Sequence, residues 1–323
     1  HTGTVAIGHE ALTACTSGKS NVAVGYQAQS ETTIGYSNIA IGFNAMLETS
    51  TGQNNHNIAI GSANVDGSLL GAMGGDWTTA VSSSNIAIGT GSMSGAIAGA
   101  LQNTAVGHTA LSALTTGDYN TCIGDRAGTA IVAGAENVIV GSGAGLTTTA
   151  GLNMVIVGTG ACQADLTTAA VGTVAIGYQS LNVLTSGAGN LAIGYQAADA
   201  LTTGLYNMAI GHGALGASVD GDYNMAIGYL ALSIYEGNDA EGKNTAVGYN
   251  AGEFVSTGDK NTFLGAFAGQ GLTGGDVLTG SSNTAIGYNA GLVLQSGAAS
   301  NTLIGSTAGD GVTTGSQNTG VGS

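Results

Sequence analysis

The sequence predicts an all-β fold, a parallel β-solenoid of about eighteen coils, and three observations carry that prediction. A motif of the form Asn-x-Ala-Ile/Val-Gly returns along the whole chain. Its glycines most often follow one another at 17-residue steps, as in Gly107, Gly124, Gly141 and Gly158. Within it the apolar residues alternate, Val22, Val24 and Tyr26 against Asn21, Ala23 and Gly25. Alternation with a period of two is the pattern of a strand, and Ile and Val favour strands. A helix pair in the known helical repeats takes about 33 residues or more, so this unit has no room for one. One unit therefore reads as one coil: strand, bend, second short strand, glycine turn, and back into register.

The motif begins at Asn21, Asn38, Asn57, Asn85, Asn103, Asn120, Asn137, Asn190, Asn207, Asn224, Asn244, Asn261, Asn283, Asn301 and Asn318. Degenerate copies end at Gly8, Gly158 and Gly177, with Thr4, Met154 and Thr173 in the Asn place. Residues 1–323 read as a single tandem-repeat solenoid, a segment of a longer fibre. Three residues after the motif glycine stands Ala, as at Ala28, Ala110, Ala197 and Ala290. A Thr/Ser-Thr/Ser-Gly turn, such as Thr115-Thr116-Gly117, precedes the next Asn, and its glycine is expected to supply a positive φ. The two branched residues of each strand are expected to face the core. That leaves a stripe of small residues outside, Ala40 with Gly42, Ala59 with Gly61 and Ala226 with Gly228, where another backbone can come close. One coil buries too little to offset the ordering of its own backbone, so coils must stack and share their contacts. At a strand spacing of ~4.8 Å the stack is expected to form a rod of roughly 85 Å.

Stacking turns single residues into columns. Asn21, Asn38, Asn57, Asn120, Asn190, Asn207, Asn224 and Asn283 are expected to form a ladder of amides, each donating to one neighbour and accepting from another. The residue after the motif glycine forms an aromatic column, Tyr178, Tyr195, His212, Tyr229 and Tyr249, with His9, Tyr26 and Phe43 earlier in the chain. Rings at strand spacing are expected to pack on one another.

Composition narrows the function. There are 58 glycines and no proline, and only 7% of residues are charged, against about 25% in an ordinary soluble domain. Collagen would need glycine at every third position with abundant proline, and 43% hydrophobic content does not suit a solvated tail. The net charge is −15, with Lys19, Arg126, Lys243 and Lys260 the only lysines and arginines. Nucleic acid needs a basic patch, which these four cannot make. No apolar run approaches the ~20 residues of a membrane span, and no signal sequence opens the chain. Cys15, Cys122 and Cys162 have neither the number nor the spacing of a disulfide framework or a zinc site.

The motif with its trailing Ala, as in Asn283-Thr-Ala-Ile-Gly287 and Ala290, resembles the head repeats of trimeric autotransporter adhesins. It is also similar to repeats of bacteriophage tail-fibre proteins. The resemblance covers the whole chain. It implies a left-handed parallel β-roll, a homotrimeric rod, and display outside the cell or virion, as a tail fibre or a cell-surface appendage. Adhesin heads use a shorter coil, so the packing of three chains is expected to differ here. Neither the neck and stalk of an adhesin nor a self-cleaving chaperone is read in this sequence.

Departures from the plain coil mark candidate sites. Residues 62–84 read as a loop inserted within one coil, and they hold Asp66, Asp76 and the one tryptophan, Trp77. Loops on a solenoid flank commonly carry function, and Trp is enriched at binding hot spots. Trp77, Asp66 and Asp76 are the candidate contacts to a host-surface glycan or protein. Shorter insertions lie between Gly228 and Gly248, with Tyr235 and Glu236, and between Gly265 and Gly287, with Asp276. Gly269-Gln-Gly-Leu-Thr-Gly274 matches a dinucleotide fingerprint only by letter, having no helix after it. Asp220, Asp222 and Asn224 imitate the start of a Ca²⁺ loop but lack its glycine and distal Glu. No cofactor is expected, with weak Ca²⁺ binding there the alternative. No catalytic constellation stands out, so the chain reads as a structural fibre or adhesin segment and not an enzyme. The alternatives are an ice-binding solenoid, a polysaccharide-degrading fibre enzyme and another cell-surface filament. Against ice binding, the threonines concentrate beside the turn glycines and lapse in several coils.

Overall fold

In the computed structural model, every copy of the motif forms a three-residue strand that pairs in parallel with neighbouring copies. The structure describes residues 2–49, 54–63, 72–73, 75–76, 81–236, 242–272 and 277–323. The chain divides into two compact units, His1–Gly160 with Asp165–Thr168, and Ala161–Ala164 with Ala169–Ser323. In the first, the strands run from Val5–Ile7 through Val22–Val24 and Ile39–Ile41 to Val155–Val157. In the second they run from Val174–Ile176 through Leu191–Ile193 and Met208–Ile210 to Thr319–Val321. Register follows the motif, Ala23 opposite Ala40 and Ala192 opposite Ala209. It survives the insertions: Ile58 pairs with Ile86 and Thr262 with Thr284. Among the described residues there is no α-helix, only one 3₁₀ turn at Thr168–Ala170. The protein is a parallel β-solenoid.

The second strand expected in each coil is mostly missing. Two-residue segments Glu48–Thr49 and Gly75–Asp76 pair in parallel, and isolated bridges join Ala135 to Leu152 and Val255 to Leu278. Elsewhere this side is a succession of turns, because left-handed residues interrupt it: Gln27 and Gln29 both have φ 51°, Thr109 φ 50° and Leu111 φ 51°. Its amides still reach the next coil, as Leu111 N–H to Ala127 O at 3.1 Å and Thr115 N–H to Val132 O at 2.9 Å.

The two faces of the strand are the reverse of the sequence-based expectation. The small residues are inside: Ala23, Ala40, Ala59, Ala192 and Ala226 are fully buried. The branched residues point outward, half-buried as at Val22 and Ile193, or exposed as at Ile41 (38%) and Leu264 (48%). Alternation separates two faces without saying which is inner. The core is too narrow for branched side chains from the strand as well as the residues that fill it from the bend.

Those residues come from the left-handed positions. Leu111, Leu181 and Leu215 have φ of 51°, 48° and 54°, and all are fully buried. The left-handed conformation costs an L-residue roughly 1–2 kcal/mol, while burying a leucine returns about 1.5–3 kcal/mol. Bend and strand share one volume. In many coils a strand Ala goes with a large bend residue, Ala40 with Met46, Ala105 with Leu111 and Ala175 with Leu181, while Ala192 goes with Ala198, and Ala246 and Ala285 with Gly252 and Gly291. Where the strand centre is large, the bend residue is small: Ile139 with Gly145, Ile156 with Cys162, Phe263 with Gly269, Leu303 with Gly309. A Cβ on Gly145 would stand 3.1 Å from Ile139 Cδ1, and one on Gly269 would overlap the Phe263 ring.

The turn glycines serve close approach, where the sequence pointed to positive φ. Gly117 and Gly187 are not left-handed, but a Cβ on either would land on the carbonyl oxygen of the turn glycine one coil on, Gly134 or Gly204. The motif glycines meet both demands. Gly194 has φ 140°, and its Cβ would strike Gly211 O.

Candidate interaction faces

The motif asparagines hold neighbouring coils together. Asn207 donates from Nδ2 to Gly221 O at 2.7 Å and to Asn190 Oδ1 at 3.2 Å. Its Oδ1 accepts the Asn224 backbone N–H at 2.9 Å and Asn224 Nδ2 at 3.1 Å. Asn120 repeats the pattern with Gly134 O and Asn103 Oδ1. Asn21 Oδ1 accepts the Asn38 N–H, Asn38 Oδ1 the Asn57 N–H, and Asn261 Oδ1 the Asn283 N–H. An amide suits this corner because it offers donor and acceptor on one short side chain.

The column after the motif glycine is a stack of rings. Tyr178, Tyr195, His212, Tyr229 and Tyr249 follow one another at centroid distances of 5.2, 5.0, 5.2 and 5.2 Å, near parallel. Phe267 and Tyr288 extend it edge-on. His9, Tyr26 and Phe43 form a shorter stack in the first unit. The sequence reading missed a further pair, Tyr206 and Tyr223, stacked at 5.5 Å. Its signal was there, a Tyr directly before Asn207 and again before Asn224.

Of the candidate receptor contacts, Asp66 and Trp77 lie outside the described residues, and for Asp76 only the backbone is described, paired with Thr49. Ala72 and Met73, within the insertion, are fully buried and continue the bend column, since Met46 N–H donates to Ala72 O and Met73 N–H to Ser92 O. Tyr235, in a shorter insertion, is buried and donates its hydroxyl to Asp259 Oδ1 at 2.8 Å. Burial first, then the Asp259 hydrogen bond, push its pKa well above the usual tyrosine range. Asp276 lies outside the described residues.

Ionisable groups do not converge. Among the described residues no three His, Cys, Asp or Glu side chains gather where they could hold a metal ion. Asp222 Oδ1 accepts the Leu205 N–H at 2.7 Å, and Asn224 Oδ1 accepts the Asn244 N–H at 3.1 Å, so two oxygens of the Ca²⁺-like run serve the coil itself. Asp125 lies 3.1 Å from both Arg126 Nε and His108 Nδ1 on an exposed surface. The Arg126 hydrogen bond, then His108, hold its carboxyl below the usual range. Burial raises the Cys122 thiol well above its ordinary value and pushes Cys162 up to about 12. Among the described residues no helix is long and apolar enough to cross a membrane.

Fold and faces together define a repetitive solenoid whose asparagine ladder serves its own stacking. No family model, no curated protein and no solved structure matches the chain.

Proposed function

We propose that the chain is a structural segment of an extracellular fibre, of the bacteriophage tail-fibre or surface-adhesin kind, in which three copies associate side by side, and that it is not an enzyme. One observation carries this reading. The outward strand face bears a branched or long apolar residue in coil after coil, as Val22, Val24, Ile39 and Ile41 in one unit and Leu191, Ile193, Met208 and Ile210 in the other. Single exposed apolar residues are ordinary on a surface, but contiguous ranks of them mark an interaction site. A second copy of the same face would match it in apolar character. The motif resemblance supports the extracellular fibre, and the net charge of −15 disfavours nucleic acid and anionic membrane surfaces. Host contact, to a surface glycan or protein, is assigned to residues 62–84 with Trp77, Asp66 and Asp76. Sedimentation equilibrium of the full chain at micromolar concentration is expected to give a trimer, and Ile193→Asp with Ile210→Asp a monomer. A monomeric parent overturns the proposal. Trimming the insertion to a plain coil is expected to reduce attachment to host cells without unfolding the chain.

One observation favours a second reading, ice binding. Thr245, Thr262, Thr284, Thr302 and Thr319 stand in register as an outward rank on the strand face, beside Val247, Leu264, Ile286, Ile304 and Val321. Thermal hysteresis that vanishes on Thr284→Lys would establish it over the fibre reading.

A further inference from the structure

We propose that the stacked pairs Tyr178 with Tyr195, Tyr206 with Tyr223, and Tyr229 with Tyr249 are sites of oxidative cross-linking. Each pair closes to a dityrosine staple between neighbouring coils when hydrogen peroxide and a haem peroxidase reach the protein. Parallel, in-register stacking sets the geometry, because it places the same side chain at the same position in successive coils. The three pairs have ring centroids 5.2, 5.5 and 5.2 Å apart, with interplanar angles of 16°, 18° and 9°. All six rings are also open to solvent, between 43% and 55% exposed. Within each pair the two facing ring surfaces cover one another, and the exposed remainder of both side chains is open to an oxidant.

The chemistry balances without further reagents. Each phenol gives one electron and one proton, and the two electrons with two protons reduce one peroxide to two waters. The paired phenoxyl radicals couple through one ortho carbon each, forming a single C–C bond. The two displaced ring hydrogens move to the phenol oxygens as both rings regain aromaticity. Holding two reactants side by side makes their coupling effectively unimolecular and raises its rate over encounter in solution. His212 stands between Tyr195 and Tyr229, and Phe267 meets Tyr249 edge-on, so the pairs are discrete. Tyr119 is the internal contrast. It is 53% exposed, but the residues one coil away in its column are Gln102 and Glu136.

The full chain is treated with a haem peroxidase and limiting peroxide, with N-acetyltyrosine oxidised in parallel, and linked peptides are mapped by mass spectrometry. Three links within one chain are expected, Tyr178 to Tyr195, Tyr206 to Tyr223 and Tyr229 to Tyr249, each lighter by two hydrogens than its two peptides. Tyr119 is expected to be recovered largely unlinked. Tyr206→Phe keeps a ring in the column, as Phe43 does on Tyr26, and is expected to abolish its own link alone. Linkage at Tyr119 as fast as at the stacked pairs, or no linkage while N-acetyltyrosine couples, overturns the proposal.

Discussion

Replacing Phe263 with Ala empties the widest strand position of the second unit. The ring is fully buried and pairs in register with Ala246 on one side and Ala285 on the other. It fills space left by two bend glycines, since a Cβ on Gly252 would stand 2.9 Å from Phe263 Cδ2 and one on Gly269 would overlap the ring. Truncation of a buried Phe typically costs about 3–5 kcal/mol through lost transfer energy and a residual cavity. Gly269→Leu alone drives a side chain into the ring and is expected to cost about 1–3 kcal/mol by overpacking. Together the two changes rebuild the arrangement of Ala226 with Leu232, where Leu232 is fully buried at φ 49°. If bend and strand share one volume, the double variant is more stable than Phe263→Ala by at least about 1 kcal/mol, after a strain of roughly 1–2 kcal/mol for a left-handed leucine. The assay is a double-mutant cycle in urea, which isolates the coupling between the two sites. Additive losses would refute the shared volume.

Asn207→Leu leaves the Asn224 N–H and the Gly221 carbonyl without their side-chain partners, and a buried unpaired group costs about 1–3 kcal/mol; unchanged melting would mean water replaces the amide. Thiol labelling in native buffer is expected to modify Cys15 and to spare Cys122 and Cys162, which react only on unfolding. Because burial raises both thiol pKa values, their stabilising contribution is complete below the ordinary thiol range and is lost as pH climbs through it towards about 12 for Cys162. Cys162→Ala is therefore expected to flatten the alkaline arm of the stability profile relative to the parent, although Tyr235 keeps part of the slope.

Much of the architecture could be read from spacing alone. The 17-residue period, the strand at each motif and the identity of the stacked columns follow from repetition, because in-register stacking converts a sequence period into contact. Asn120 above Asn137 and Tyr178 above Tyr195 needed no coordinates. What spacing leaves open is direction. Val22 and Ala23 alternate equally well with either face inward, and hydrophobicity favoured the wrong one. The deciding signal lay elsewhere in the coil, in Leu111, Leu181 and Met46, whose volume leaves room for only an Ala across the core. The missing second strand had a similar cause, since left-handed residues such as Gln27, Thr109 and Leu181 are not glycines and give no warning in the sequence. Asp66 and Trp77 of the 62–84 loop have no counterpart in other coils, so periodicity offered nothing about their surroundings.

The central claim is that, between the two terminal coils, the middle residue of each strand faces inward. It is tested most directly by placing a carboxylate at adjacent positions of one strand, Ala192→Asp and Ile193→Asp, and recording far-ultraviolet circular dichroism and melting. Ala192 is fully buried, and a carboxylate forced there has no partner, an effective penalty of several kcal/mol. Ile193 sits on the outward face. The expected result is that Ala192→Asp loses the β spectrum or melts far below the parent, while Ile193→Asp keeps the folded spectrum. A folded Ala192→Asp beside an unfolded Ile193→Asp would turn the coil inside out and contradict the account.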